Sequence, residues 1–336
     1  MVNSALTNSN DTASGSPTVS IIVVTYNHEA FIDECLTSCL LQRESFPDIE
    51  IVVADDGSSD DTPKLIEAWA MKAPGVVQPV LSPVNTGIAH NFNRGLTAAR
   101  GDLIAWLGGD DIMLAGKIAR QVELLRCQPD ASGCYHDAEV FSWPSGKTLG
   151  LFSDLYAGMA AMAAFVDAGR MLDPRYQMLP STVMVRRERL PRQFDTRLAF
   201  HNDYLFDLET IIRGGPYFRM EGTYTRYRKH EKSIGLDPAT RAVMLEENLI
   251  VTAIAEARYP HLSRQIKRRA IYYLTLEALK SLREHDTQRF RALCVAIFAR
   301  GAWVRAAGLR VFGRFLSRLT DQRHRRLALR LRSLFG

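Results

Sequence analysis

The chain has 336 residues, 46% hydrophobic and 24% charged, an ordinary globular composition with room for one large domain or two of usual size. The net charge of +5 is uneven: residues 301–336 hold nine Arg, no Lys and one acid, Asp321, so this tail carries +8 and the preceding 300 residues −3. Several classes are excluded. No apolar run approaches the ~18 residues of a membrane span. Residues 1–17 lack the basic start and apolar core of a signal peptide and read as a disordered N-terminus. The five cysteines (Cys35, Cys39, Cys127, Cys134, Cys294) are odd in number and show no C-x-x-C, so neither a disulfide framework nor a zinc site is indicated; all five read as buried thiols in a reducing compartment.

In chain order, Val19 to Thr25 is a β-branched, nearly continuous apolar run, the mark of a strand covered on both faces. Phe31, Cys35, Leu36, Cys39 and Leu40 then repeat at helical spacing. Ile49 to Ala54 is a second such strand, followed by Asp55-Asp56-Gly57-Ser58-Ser59-Asp60 and a helix carrying Leu65, Ile66 and Trp69. Val76 to Leu81 is a third, and Asn85-Thr86-Gly87 opens a helix that Gly101 ends. The stretch Gly101-Asp-Leu-Ile-Ala-Trp-Leu-Gly-Gly-Asp-Asp111 is a fourth strand closed by two glycines and two adjacent carboxylates, with a helix to about Cys127 behind it. Glycines there permit close approach, and paired carboxylates at a strand's C-terminal end suit a hard divalent cation or, equally, a surface turn.

Four alternations of strand and helix predict a parallel α/β sheet with right-handed crossovers. The first turn has no G-x-G-x-x-G and the chain no G-x-x-x-x-G-K-[ST], which excludes the dinucleotide and P-loop modes of holding phosphate. After Ser132 the pattern changes. Gly133 to Phe141 reads as a strand, Trp143 to Lys147 as a hairpin tip, Ser153 to Leu172 as a helix and Leu179 to Arg186 as a strand. Phe200 to Leu208 leads into a helix ending near Gly214, Tyr217 to Tyr227 is a strand, and helices follow from Arg241.

Seven pieces, in order, resemble the family 2 inverting glycosyltransferases of the GT-A fold, of the bacterial polysaccharide or O-antigen type. They are residues 20–27 (Ser-Ile-Ile-Val-Val-Thr-Tyr-Asn), 53–60 (Val-Ala-Asp-Asp-Gly-Ser-Ser-Asp), 85–87 (Asn-Thr-Gly), 101–111, 180–187 (Pro-Ser-Thr-Val-Met-Val-Arg-Arg), 202–205 (Asn-Asp-Tyr-Leu) and 227–230 (Tyr-Arg-Lys-His). The resemblance implies an α/β, Rossmann-like mixed sheet with flanking helices over 18–236 and a helical C-terminal region over 237–336. It implies a nucleotide-sugar donor, usually a UDP-sugar in the family, met by Thr25, Tyr26, Asn27, Glu29, Asp56, Asn93, Asp110 and Arg228. It also implies Mg²⁺ or Mn²⁺ on Asp110, Asp111 and His230, and Asp203 as catalytic base. The acceptor expected is a glycan or lipid-linked hydroxyl at the cytoplasmic face of the plasma membrane. Two acids of the family pattern are missing: Gly108 stands at the first position of its D-x-D, and Asn202 precedes Asp203 where the family has Glu. The alternative they motivate is a degenerate domain that binds nucleotide or sugar without turnover.

Within the tail, Val304, Val311, Phe312, Phe315, Leu316 and Leu319 recur at helical spacing with Arg310, Arg314 and Arg318 along the flank. This predicts an interfacial helix on an anionic membrane surface. The tail aromatics Trp303, Phe312 and Phe315 are not interleaved with arginines as stacking platforms, so no nucleic-acid partner is expected.

Overall fold

The computed structural model describes residues 18–157, 163–231, 233, 238–302 and 305–310. The segment 1–17 expected to be disordered lies outside these, as does the tail 311–336.

The first half follows the predicted alternation. Strands β1 (Val19–Thr25), β2 (Ile49–Asp55), β3 (Val77–Leu81) and β4 (Leu103–Gly108) are parallel and lie side by side as β3-β2-β1-β4. Between them run α1 (Ile32–Leu41), α2 (Thr62–Lys72) and α3 (Ile88–Ala98). Side chains alternate across the sheet because successive Cβ atoms point to opposite faces. Ile21, Val23, Ile51, Val53 and Leu107 therefore pack with Cys35, Leu36, Ile66 and Trp69 on one face. Ile22, Val52, Ile104 and Trp106 pack with Ala89 and Phe92 on the other. A sheet sandwiched this way exposes its strand ends alone, so the loops after β1, β2 and β4 are where chemistry is accessible.

The second half makes the sheet mixed. After β5 (Ile112–Met113) and α4 (Lys117–Cys127) come β6 (Gly133–Ser142), β7 (Thr148–Leu151), β8 (Phe165–Val166), α5 (Ala168–Met171), β9 (Met184–Arg186), α6 (Asn202–Gly214) and β10 (Tyr217–Lys229). The ten-stranded sheet runs β3-β2-β1-β4-β9-β6-β10-β5, with β7 on β6 and β8 on β10. The short β9 is antiparallel to both β4 and β6 and joins the two halves.

Two local expectations fail. Ser153 to Leu172 is not one helix: a single helical turn at Ser153–Ala157 is followed by β8 and the short α5. Fully buried Val166 pairs with Tyr217 on β10, and that tertiary pairing overrides the helix propensity of the surrounding alanines and methionines. Leu179 to Arg186 begins with a 3₁₀ turn at Pro180–Thr182, and only its last three residues pair as a strand, since Pro180 has no N–H to give.

The C-terminal region folds as α7 (Pro238–Arg258), α8 (Ser263–Arg283) and α9 (Thr287–Ala299), with a helical turn over 305–310. Val251, Ile254, Ala255 and Ile266 enter the same core as Phe206 of α6, so the change of pattern near 237 is not a break in the core. Phe290, Cys294 and Ile297 make a small separate core with Leu274, Ala306 and Leu309. Four cysteines are buried as expected, but Cys127, at the end of α4, is exposed. No helix among the described residues is long and apolar enough to cross a membrane.

Candidate active site

The loops leaving β1 and β2 are stitched together at the sheet edge. Asn27 N donates to Ser58 Oγ at 2.8 Å, His28 N to Thr62 Oγ1 at 2.9 Å and Glu29 N to Asp60 Oδ2 at 3.2 Å. In return Ser59 N donates to Asn27 Oδ1 and Asp61 N to Glu29 Oε2. Asn27 holds a left-handed φ of 55°, which Asn tolerates better than most residues. Thr25, Tyr26, Asn27 and Glu29 are thus gathered, but Asn27 and Glu29 use their side chains to hold the loops. Tyr26 stands 42% exposed at the rim.

Asp55 and Asp56 take different roles. Buried Asp55 closes its own turn, accepting from Ser58 N at 2.9 Å and from Ser58 Oγ. Asp56 Oδ1 accepts from Thr86 N, Thr86 Oγ1 and Arg94 Nη2, while Oδ2 accepts from Gly87 N alone, at 2.8 Å. Since a carboxylate oxygen has two lone pairs, Asp56 keeps one acceptor position, on Oδ2. Asn93 lies elsewhere: it donates to Phe194 O at 3.1 Å and accepts from Phe194 N at 2.7 Å. Both ends of its amide join α3 to the 194 segment, so its side chain serves to hold that segment.

Crowding requires the glycine at 109 and favours the one at 108. A Cβ at Gly109 would lie 2.6 Å from Thr25 Oγ1 and 3.0 Å from His28 Nδ1; one at Gly108 would lie 2.8 Å from Asp110 Oδ1. Asp110 folds over the space that a side chain at 108 would need. Its Oδ2 lies 3.1 Å from His230 Nε2. His28, Asp110 and His230 offer donor atoms that all lie within 4.8 Å of one another. Burial alone would raise the Asp110 carboxyl; the His230 hydrogen bond and the charges of His28 and His230 outweigh it and hold the carboxyl below its usual range. Burial lowers the His28 imidazole against the opposing pull of the Asp110 charge; the neutral form is the one that coordinates a metal.

Asp111, expected as a metal ligand, does not join this cluster. It is buried, and its oxygens accept from Ser181 Oγ at 2.6 Å and from Arg228 N at 3.0 Å. Burial and the adjacent Asp110 charge push its carboxyl well above the ordinary carboxylate range. Ser181 in turn receives Lys117 Nζ on its carbonyl at 2.6 Å, and burial lowers that ammonium to about 8. The Asp111–Ser181–Lys117 chain therefore fixes the turn that presents Asp110. His28 takes the place in the cluster. Its signal in the sequence was its position three residues beyond strand-end Thr25, whose Oγ1 lies 3.2 Å from His28 Nδ1.

Arg228 is a clamp rather than a free cation. It is buried between the rings of Phe31 and Phe141, at 4.9 and 4.8 Å. Its Nη2 donates to Glu34 Oε2 at 2.6 Å and its Nε to Asp110 O at 2.7 Å. The guanidinium ties α1 and the β4–β5 turn to β10.

Asp203 sits in the first turn of α6, half-buried, and desolvation pushes its carboxyl up to about 6. Its helix is locked to β4, the strand that presents Asp110, by an aromatic stack. The rings of Phe194 and Phe206 lie 3.8 Å apart and parallel, and Trp106 meets both edge-on at 5.4 and 6.1 Å. Truncating one such buried ring costs about 3–5 kcal/mol. Asn202 has a local reason to differ from an acid: its Nδ2 donates to Leu198 O and Ala199 O, which a carboxylate cannot do.

The family model described as "Glycosyl transferase family 2" matches residues 20–148. An uncharacterised Mycobacterium tuberculosis protein is 32% identical over 175 residues, 49% of this chain and 50% of that one. The Campylobacter jejuni GalNAc(5)-diNAcBac-PP-undecaprenol beta-1,3-glucosyltransferase is 31% identical over 103 residues, 31% of this chain and 33% of that one. The chain thus spans half or less of the length of these relatives. Among solved structures, S. aureus TarS in complex with UDP-GlcNAc superposes with a TM-score of 0.64 at 17% identity, covering 87% of this chain and 83% of the other. The mannosyltransferase PcManGT of Pyrobaculum calidifontis, in complex with GDP-Man and Mn²⁺, gives 0.57 at 21% identity over 94% and 84%. The chain has the GT-A fold, and its residues 20–148 are similar to the glycosyl transferase family 2 domain.

Proposed function

We propose that the protein is a metal-dependent inverting glycosyltransferase that moves a sugar from a nucleotide-sugar, a UDP-sugar, to a hydroxyl on a lipid-linked glycan. The observation that carries this reading is the convergence of His28, Asp110 and His230 at the strand edge where open α/β sheets hold their ligands. Two imidazoles and one carboxylate fit Mn²⁺ better than Mg²⁺, which prefers oxygen ligands throughout. Bound there, such an ion supplies Lewis-acid neutralisation of a leaving diphosphate. The remaining roles belong to the chain itself. Asp56 Oδ2 retains an acceptor for a base N–H, and Tyr26 at the rim is exposed. Asp203 takes the acceptor proton: with its carboxyl near 6 it is ionised at neutral pH yet more basic than an ordinary aspartate. The undecaprenol-linked substrate named for the Campylobacter relative supports a lipid-linked acceptor.

The test is incubation with UDP-glucose, UDP-galactose, UDP-GlcNAc and UDP-GalNAc in Mn²⁺, following UDP release with water as acceptor. Slow release from one donor, abolished in Asp110→Ala, is expected. UDP binding with no release from any donor favours the non-catalytic binding protein instead.

A further inference from the structure

The turn that launches α6 is held from outside the sheet. Glu247 of α7 is buried and accepts three consecutive backbone N–H groups: Ala199 N at 2.6 Å, Phe200 N at 2.9 Å and His201 N at 2.9 Å. The N-cap residue of α6, His201, makes no side-chain cap of its own. These three amides lie just before the first helical residue, Asn202, and a carboxylate, with its four lone pairs, can accept all three. Its charge also meets the positive end of the α6 dipole.

We propose that Glu247 is the positioning residue for Asp203, fixing from the C-terminal helices where the base stands; this rests on the reading of Asp203 as base. The surroundings make the arrangement specific. Asn248 Nδ2 lies 3.0 Å from His201 Nε2, and its Oδ1 accepts from Arg269 Nη2 at 2.8 Å. Arg269, buried in α8, stacks 4.0 Å over the ring of Tyr204, the residue after Asp203. Tyr204 Oη donates to Met171 O. Asp203 Oδ1 itself accepts from Tyr204 N at 2.6 Å. Every residue from 199 to 204 is therefore tied to something, and α7 and α8 supply most of the ties. Hydrophobic packing of Phe206 and Leu205 would keep α6 in place without Glu247; what Glu247 adds is the geometry of its first turn.

Glu247 also leaves an electrostatic trace. Its charge is one cause that raises the Asp203 carboxyl, after burial. The other acid facing Asp203 is Asp207, one turn along α6, which burial pushes up to about 8 and which is therefore uncharged at pH 6. Of the basic groups at the junction, His201 is lowered by burial to about 4 and is neutral there, leaving Arg269 as the cation. Removing the Glu247 charge thus lowers the pH at which Asp203 ionises.

The experiment uses the full chain as Glu247→Gln and Glu247→Ala, with exposed Glu246→Gln as control. Three quantities are read: hydrolysis of whichever of the four UDP-sugars wild type turns over, its pH profile, and amide hydrogen exchange over 196–206. For Glu247→Gln we expect kcat to fall about 10²-fold, the loss typical of a slightly misplaced group, with donor KM unchanged. The acid limb moves to lower pH and the 199–201 amides exchange faster. A wild-type kcat and acid limb in Glu247→Gln, or unchanged exchange in Glu247→Ala, overturns the assignment. Should wild type hydrolyse none of the donors while binding UDP, the transferase reading falls with it, whereas exchange still reports whether Glu247 holds the turn.

Discussion

His230 Nε2 reaches Asp110 Oδ2 at 3.1 Å across 120 residues of chain. The contact exists because β10 pairs antiparallel with β5, the strand immediately after Asp110, with Arg226 opposite Ile112. The cluster is thus assembled by the completed sheet, and each of its members is expected to matter. Asp110→Ala, His28→Ala and His230→Ala should each weaken Mn²⁺-dependent UDP binding, measured by calorimetry, by at least the ~10–100-fold that loss of an outer-shell partner costs a metal site. Asp111→Ala should behave differently. It strands the Ser181 hydroxyl and the Arg228 N–H, so it should lower stability by about 1–3 kcal/mol in a urea titration while leaving Mn²⁺ affinity closer to wild type. A His28→Ala protein with undiminished Mn²⁺ dependence would remove His28 from the cluster.

Restoring the family's first acid should harm the protein. A Cβ at 108 would lie 2.8 Å from Asp110 Oδ1 and 3.3 Å from Asp111 Oδ2. Gly108→Asp therefore displaces Asp110 and adds a further carboxyl beside the two already crowded there. Mn²⁺-dependent UDP binding should fall below that of wild type; a tighter site in Gly108→Asp would show that the position is simply vacant.

Asp203 carries a pH signature. Only its carboxylate form accepts a proton, and burial raises the carboxyl to about 6, so turnover should fall as pH drops through about 6 and level off above it. An unperturbed aspartate near 3.8 would place the limb two units lower. Asp203→Asn should fold, bind UDP and lose ~10²–10⁴ in kcat, with the limb gone. Turnover of the Asn variant at the wild-type level would assign the base elsewhere.

What the sequence made legible is what local pattern determines. The four parallel strands and their helices are continuous β-branched runs and amphipathic repeats, and their ends fall within a residue or two of expectation. Strand-end Asp110 and the Tyr-Arg-Lys-His run ending at His230 were visible as motifs. What was not legible depends on which side chain a distant element meets. Asp111 looks as available as Asp110 until Ser181 and Arg228 take its oxygens. Arg228 looks like a phosphate ligand until Glu34 pairs with it. His28 sat in a motif read for its neighbours, and Glu247 lies on a helix whose sequence carries no chemical pattern. Val166 was lost to a helix because two strand residues make no period of their own.

The truncation that tests the tail must respect where its packing ends. Residues 311–336, with most of the proposed stripe, lie outside the described residues, but the turn at 305–310 does not. There Ala306 and Leu309 are buried against Phe290, Cys294 and Ile297. The start of the tail is therefore part of the small C-terminal core, and a chain cut before Arg300 would lose that packing as well as any anchor. The cut belongs after Arg310. Beyond it, residues 311–336 hold seven Arg against Asp321 alone. Near anionic lipid each Arg contributes ~1 kcal/mol before screening, so the segment supplies several kcal/mol without any other part of the chain. The full chain should sediment with phosphatidylglycerol vesicles at low salt and be released as salt rises, since exposed charges are screened within about a Debye length. The chain ending at Arg310 should stay in the supernatant with its thermal unfolding unchanged. Equal sedimentation of the two, or none by the full chain, would mean that the arginines serve something other than a membrane.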